Sequence, residues 1–272
     1  MTSSPADTPH ASVDQTAVSA PEHLHIAVVG AGKAGTAVAR SLLDAGYRVS
    51  LSASGDPQTL ALMAGIITPG AEPKWTRDAV AGADLVILAL PLHRLRLVDP
   101  ALLEGKVVVD AMNYWPPVDG EIPAFEAEGL GSSVVVQEMF PGAAVVKTFN
   151  HTGYSSLEPD RRPAGHPERL GLAVAGNRPD AVALVSAVVD RIGYDPVPVG
   201  SLAATRFLQP GGSAFGARLT AAQLKELAGM TVEVTSAEIP SDNTFRPVVI
   251  RHGRAIGLSR DDSQWLSSTD SH

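Results

Sequence analysis

The sequence predicts an α/β fold, a doubly wound parallel sheet with a small C-terminal lobe. Three observations predict it. From His25 onward, Val-rich runs alternate with helical stretches, the pattern of parallel strands joined by crossover helices. The first such run ends in Gly30-Ala31-Gly32-Lys33-Ala34-Gly35, a G-x-G-x-x-G that opens an amphipathic stretch. A second strand-like run, "YRVSLS", then completes a βαβ unit of the dinucleotide-binding (Rossmann) type.

Taken in order, strands are predicted at His25–Val29, Arg48–Ser52, Leu85–Ala89, Val107–Asp110 and Ala144–Phe149, with a further pair at Leu172–Ala175 and Pro196–Val199. Helices are predicted over Gly32–Ala45, Pro57–Gly65, Arg77–Ala81, His93–Leu97, Ser132–Met139 and Arg178–Ile192, the last stopped by Gly193. Residues 150–171 read as a polar, Pro-rich surface loop. Near the end, "LTAAQLKELAGM" reads as a helix, "TVEVTSAEIP" and "RPVVIRHGRAIGL" as strands, and "SRDDSQWLSSTDSH" as frayed chain. The plan is a disordered tail at 1–24, a dinucleotide-binding domain at 25–150, a small α/β extension lining the cleft at 151–216, and a partly disordered C-terminal addition at 217–272.

Composition narrows the function. The chain has 272 residues, 44% of them hydrophobic and 5% aromatic, which is enough to bury a Val-rich sheet under helices. A net charge of -8 argues against a nucleic-acid partner, which needs a basic surface. There is no Cys, which excludes disulfides, thiolate metal sites and a cysteine nucleophile and makes a reducing cytoplasm the simplest setting. The 8 His show no metal-ligand spacing, so no metal is expected. No apolar run reaches the roughly 18 to 20 residues of a membrane span. The first residues have neither the basic start nor the apolar centre of a signal peptide.

Each glycine of the loop has a physical task. Gly30 allows the tight turn after the strand, Gly32 lets the backbone approach a pyrophosphate, and Gly35 lets the helix press against the sheet. Ala31, Lys33 and Ala34 fill the intervening positions of the motif. At the end of the second strand an NAD site places Asp or Glu, whereas an NADP site places small polar groups and a cation. Here the chain reads Ser52, Ala53 and Ser54, with Asp56 beyond the strand end. The missing carboxylate favours NADP, with Ser52 and Ser54 as hydroxyl donors. Lys33 is either the accompanying cation or an ordinary surface lysine.

Ligands of such a sheet lie outside the carboxyl ends of the strands, so Ala89, Leu90 and Pro91 should border the cofactor. His93 is a cofactor contact or a surface histidine at a helix start. "VVVDAMNYWPP" brings Asp110, Asn113, Tyr114 and Trp115 to the nicotinamide end, and "VVKTFNHTGY" brings Lys147, Asn150 and His151 to the same rim. The aromatics either wall a flat ring or pack their own loop. No Ser-His-Asp set, carboxylate pair or evident general base emerges, which fits hydride transfer, a reaction governed by stacking and orientation.

The glycine loop, "LALP", "GKVVVDAMN", "PGAAVVKTFN", "GLAVAGN" and "VGSLAATRFLQP" occur in the order in which NADPH-dependent coenzyme F420 reductases carry them. From Ile26 to Gly216 the chain resembles that family. The resemblance implies hydride exchange between NADP and a deazaflavin, coenzyme F420, in one cleft of a homodimeric enzyme. It implies that Ala31 to Ala34 hold the pyrophosphate, that Pro91 flanks the nicotinamide, and that Asn113, Asn150 and the Leu202–Gln209 segment line the deazaflavin cleft. The chain departs from the family where Ser-Arg normally follows the second strand; Ala53 and Ser54 stand there. Two other readings stay open: an NAD(P)-dependent reductase of another small acceptor, and a non-enzymatic dinucleotide sensor.

Overall fold

In the computed structural model, the structure describes residues 23–126, 131–231, 248–251 and 254–257. The chain enters through β1 (His25–Val29), every residue of which is buried. It turns through the glycine loop into α1 (Lys33–Asp44), which presents Ala37, Val38 and Leu42 to the sheet. β2 (Arg48–Ser52) then runs parallel to β1, with Ile26 opposite Val49. Asp56 starts α2 (Pro57–Ile67) by accepting a hydrogen bond from Gln58 N at 2.8 Å, with Pro57 in the first turn.

A two-residue edge strand, β3 (Glu72–Pro73), and α3 (Thr76–Ala81) lead into β4 (Leu85–Leu88). The helix expected over His93–Leu97 is a 3-10 turn, Leu92–Leu97, followed by another at Pro100–Leu103. Pro91 before the first turn and Pro100 after it leave no room for a longer α-helix. β5 (Val107–Asp110), the short α4 (Pro116–Asp119) and α5 (Pro123–Glu126), α6 (Ser132–Met139) and β6 (Ala144–Lys147) follow. After the 150–171 loop come β7 (Gly171–Gly176), α7 (Pro179–Arg191), β8 (Asp195–Pro198), a 3-10 segment at Leu202–Leu208, and α8 (Ala221–Thr231). An antiparallel hairpin, β9 (Val248–Arg251) and β10 (Arg254–Gly257), is described apart from these. The strand expected within 232–247, the tail at 1–22 and the frayed end lie outside the described residues.

β1 to β8 form one 8-stranded sheet in the order β3-β2-β1-β4-β5-β6-β7-β8. Its pairs are parallel except β6 with β7, where Lys147 lies opposite Ala175 in antiparallel register. The expected doubly wound parallel sheet is present, with this one antiparallel pair added to it. No helix lies between β6 and β7 to carry the chain back along the sheet, so β7 returns in the opposite sense, and its last two residues, Ala175 and Gly176, lie opposite Lys147 and Val146.

Side chains alternate across the sheet, as a strand period of two requires. Ile26, Val28, Leu85, Ile87, Val109 and Val146 pack under α1, α2 and α7. Ala27, Val29, Val86, Leu88, Val108 and Val145 pack on the opposite face with α3 and α6. A third cluster joins Ala173, Ala175 and Val197 to Phe207, Leu208, Leu224 and Ala228, seating α8 on β7 and β8. Burial on both faces explains why these strands read as Val-rich runs. It also directs the carboxyl ends of β2, β1, β4, β5 and β6 to one edge, with the strand order reversing between β1 and β4.

Candidate functional site

The glycine loop sits at that reversal. Gly30 has φ +121, and a side chain there would meet Ala89 O at 2.2 Å. Gly35 has even less room, with its Cβ position 1.8 Å from Gly30 O. Gly32 differs: nothing lies within 4 Å of its Cβ position, and it faces outward. No side chain caps α1, and its first turn carries no acidic residue. An uncapped helix start behind an open glycine presents unpaired positive N–H ends to an anion. These residues fit a dinucleotide pyrophosphate.

At the end of β2 the two serines differ. Ser52 is fully buried, and its hydroxyl accepts from Thr76 Oγ1 at 3.3 Å. It therefore stands beneath the surface rather than offering a hydroxyl to a ribose. Ser54 is exposed, and Arg94 Nη1 donates to its Oγ at 3.2 Å. Sequence reasoning missed Arg94. The two residues are separated by 40 positions, and the only local signal was a pair of arginines in "LHRLRL". Lys33 is exposed, with its ammonium 5.5 Å from the centroid of the Tyr154 ring. The loop bearing Tyr154 is tied to α1 by Arg40, whose Nε donates to Glu158 Oε1 at 2.8 Å, and by Arg161 Nη2 to Asp44 Oδ2 at 2.7 Å.

Ala89 and Leu90 are half-buried beside the glycine loop, and Pro91 is exposed. His93 is held by a buried carboxylate: its backbone N–H and its Nδ1 approach Asp119 Oδ1 at 3.1 and 3.0 Å. Trp115 N donates to the other oxygen of Asp119 at 2.9 Å. The carboxylate accepts from Nδ1, so Nδ1 carries the proton and Nε2 is the outward nitrogen of a half-exposed ring.

At the ends of β5 and β6 the structure separates residues that the sequence placed together. Asp110 and Lys147 do not reach the rim. Both side chains are fully buried, with Lys147 Nζ donating to Asp110 Oδ2 at 3.1 Å and Ser133 Oγ donating to the same oxygen at 2.6 Å. Burial lowers the Lys147 ammonium's affinity for its proton, and the Asp110 charge opposes that shift. His151 is buried as well; its Nε2 accepts from Ala173 N at 3.1 Å. Burial, then the Lys147 charge, pushes its pKa down to about 4.

Asn113 and Asn150 do meet. Asn113 Nδ2 donates to Asn150 O at 2.7 Å, and Asn150 Nδ2 donates to Asn113 Oδ1 at 3.0 Å and to Leu208 O at 2.8 Å. This brings the end of the Leu202–Leu208 segment to the same rim. Phe149, just before Asn150, has φ 65, an uncommon conformation for a residue with a side chain. Tyr114 packs its own loop, stacking on Phe125 at 5.6 Å and accepting from Ile122 N at 2.7 Å. Trp115 is 45% exposed and stacks on Phe215 with centroids 6.4 Å apart, leaving an open aromatic face. Among the described residues no helix is long and apolar enough to cross a membrane.

The sequence profile of the family described as "NADP oxidoreductase coenzyme F420-dependent" matches residues 25–114. A hypothetical protein from Sinorhizobium meliloti is similar in structure, with a TM-score of 0.63 and 30% identity over 72% of this chain and 95% of that one. A candidate F420-dependent NADP reductase from Arthrobacter sp. FB24 gives a TM-score of 0.60 and 26% identity over 72% of this chain and 99% of that one. Glycerol-3-phosphate dehydrogenase [NAD(P)+] of Moorella thermoacetica is 28% identical over 207 residues, 62% of this chain. The chain spans only 59% of that dehydrogenase's length.

Proposed function

Since the chain belongs to the coenzyme F420-dependent NADP oxidoreductase family and is an NAD(P)-dependent oxidoreductase, we propose that it transfers a hydride between NADP(H) and a deazaflavin held in the same cleft. One observation carries this reading. The rim beside the expected nicotinamide position presents the half-buried Asn113 amide, held from beneath by the buried Asn150, and an aromatic face, Trp115 on Phe215, while Asp110, Lys147 and His151 are buried. Such a rim orients two flat rings without competing for their protons.

In this reading Gly30 to Gly35 hold the pyrophosphate, Leu90 and Pro91 flank the nicotinamide, and Asn113 is aimed by Asn150 at the ring amide or ribose. Trp115 walls the deazaflavin. When bound, the dinucleotide would supply a hydride with its electron pair and the deazaflavin would accept it with a proton from water; Asn113, Trp115 and the Leu90–Pro91 turn would orient the two rings. The division at 150 and 216, a homodimer and a cytoplasmic setting belong to the same reading, on the strength of the resemblance and the absence of Cys.

The test is spectroscopic: mix the protein with NADPH and oxidised coenzyme F420 and follow the deazaflavin absorbance. Loss of that absorbance with turnover is expected. NADPH binding without any change in the deazaflavin band would overturn the reading. A second reading, reduction of another small acceptor that needs a proton donor, is favoured by the His93–Asp119 pair, in which a buried carboxylate orients a half-exposed imidazole.

A further inference from the structure

We propose that Arg94 is the cation that recognises the 2′-phosphate of NADP(H), reaching the end of β2 from the turn after β4. This rests on the dinucleotide half of the reading above and is independent of the deazaflavin.

In a βαβ unit the adenosine ribose lies at the end of the second strand. Of the residues there, Ser52 is buried against Thr76 and Ala53 is half-buried, which leaves Ser54 at the surface. The nearest carboxylate in sequence, Asp56, accepts from Gln58 N at 2.8 Å and caps α2. It is committed to its own helix rather than to a pair of ribose hydroxyls.

Arg94 is exposed, but its backbone is anchored. Leu92 and Leu95 of the same 3-10 turn are fully buried in the core. Its Nη1 donates to Ser54 Oγ at 3.2 Å, and among the described residues it has no carboxylate partner. Among the described residues its remaining guanidinium donors meet no acceptor, and they form a fork that matches phosphate oxygens. The Ser54 hydroxyl accepts from Arg94, so its own proton is available to the same phosphate. Guanidinium and hydroxyl thus converge on one point from two elements. Lys33, the cation inside the glycine loop, stands over the Tyr154 ring instead.

The test is equilibrium binding of NADPH and NADH to the full chain, without deazaflavin, for the parent protein, Arg94→Gln and Arg94→Lys. A charge-assisted phosphate contact is worth roughly tenfold to a hundredfold in affinity. Arg94→Gln is expected to weaken NADPH by about that factor and NADH by less than about twofold, with Arg94→Lys in between for NADPH. Because the side chain is exposed, the thermal midpoint should not move. An unchanged NADPH constant, or an equal loss for both dinucleotides, overturns the proposal. A parent protein that binds neither dinucleotide overturns the dinucleotide reading itself, and the parent measurement alone reveals it.

Discussion

Asn113 and Asn150 hold each other reciprocally: the Asn113 amide donates to the Asn150 main chain, and the Asn150 amide donates back to Asn113 Oδ1. The second proton of Asn150 goes to Leu208 O, so one buried amide joins the ends of β5 and β6 to the Leu202–Leu208 segment. An amide can do this because it carries two donors on one planar nitrogen. Asn150→Ala should leave the Leu208 carbonyl unpaired in a buried setting and release Asn113. A loss of about 1–3 kcal/mol is expected, read by denaturant melts, together with a lower kcat for hydride transfer at saturating NADPH.

Beneath that clasp, Asp110 and Lys147 form a pair with no solvent access. Removing one member of such a pair leaves an uncompensated buried charge and costs about 3–5 kcal/mol. Lys147→Met should therefore destabilise strongly in chemical denaturation. The double variant Asp110→Asn, Lys147→Met should recover much of the loss, because the orphaned charge disappears. If both variants are equally unstable, the pairing energy has been misread.

The sheet was legible because each long strand is an apolar run buried on both faces. β3 was not: Glu72 and Pro73 have no apolar alternation, and proline lacks a ladder donor. The reversal of β7 was hidden because "GLAVAG" reads the same in a parallel or an antiparallel partner. At the site, the glycine loop could be read since its geometry is local. The placement of Asp110 and Lys147 could not, because it depends on register: they are direct partners across β5 and β6 and satisfy each other inside the fold. Arg94 was hidden for a related reason, since it meets Ser54 only once β4 is laid beside β1.

His151 makes stability depend on pH. Its folded pKa, about 4, lies below the ordinary 6.5, so between those values the unfolded chain binds the extra proton. The stabilisation is fully present above the unfolded value and is lost as pH falls from 6.5 toward 4, amounting to about 3 kcal/mol. His151→Gln can still accept from Ala173 N but cannot titrate. Unfolding free energies measured from pH 7 to pH 4 should fall less steeply for the variant. Identical slopes would mean that His151 titrates alike in the folded and unfolded chain.

The glycine loop separates binding from folding. Gly32→Val adds a side chain where nothing stands within 4 Å and where the backbone, at φ -78, is ordinary. The fold should be unaffected while dinucleotide binding is abolished, since the side chain occupies the pyrophosphate approach. Gly35→Ala places its methyl group against Gly30 O, an overpacking that should cost at least about 1–3 kcal/mol. Thermal melts and NADPH titrations of both variants check the contrast. A Gly32→Val protein that binds NADPH normally would show the loop to be a turn and nothing more.

His93 decides between the two functional readings. Asp119 holds its Nδ1–H, and the same carboxylate would stabilise the imidazolium, the one form that can give a proton from Nε2, yet the reduction of a deazaflavin needs no donor that water cannot replace. A positioned general acid contributes about a hundredfold to ten-thousandfold. Under the hydride-transfer reading, His93→Gln keeps a polar group at the cofactor edge and should change kcat for F420 reduction by less than about threefold, any effect falling on KM for NADPH. Asp119→Asn should act differently. It leaves one acceptor oxygen where two now take the His93 and Trp115 backbone N–H groups separately, so one of those bonds is lost, which should loosen the Trp115 wall and raise KM for the deazaflavin. A kcat that collapses in both variants and titrates with a single group in the parent would identify His93 as a catalytic acid and favour the second reading.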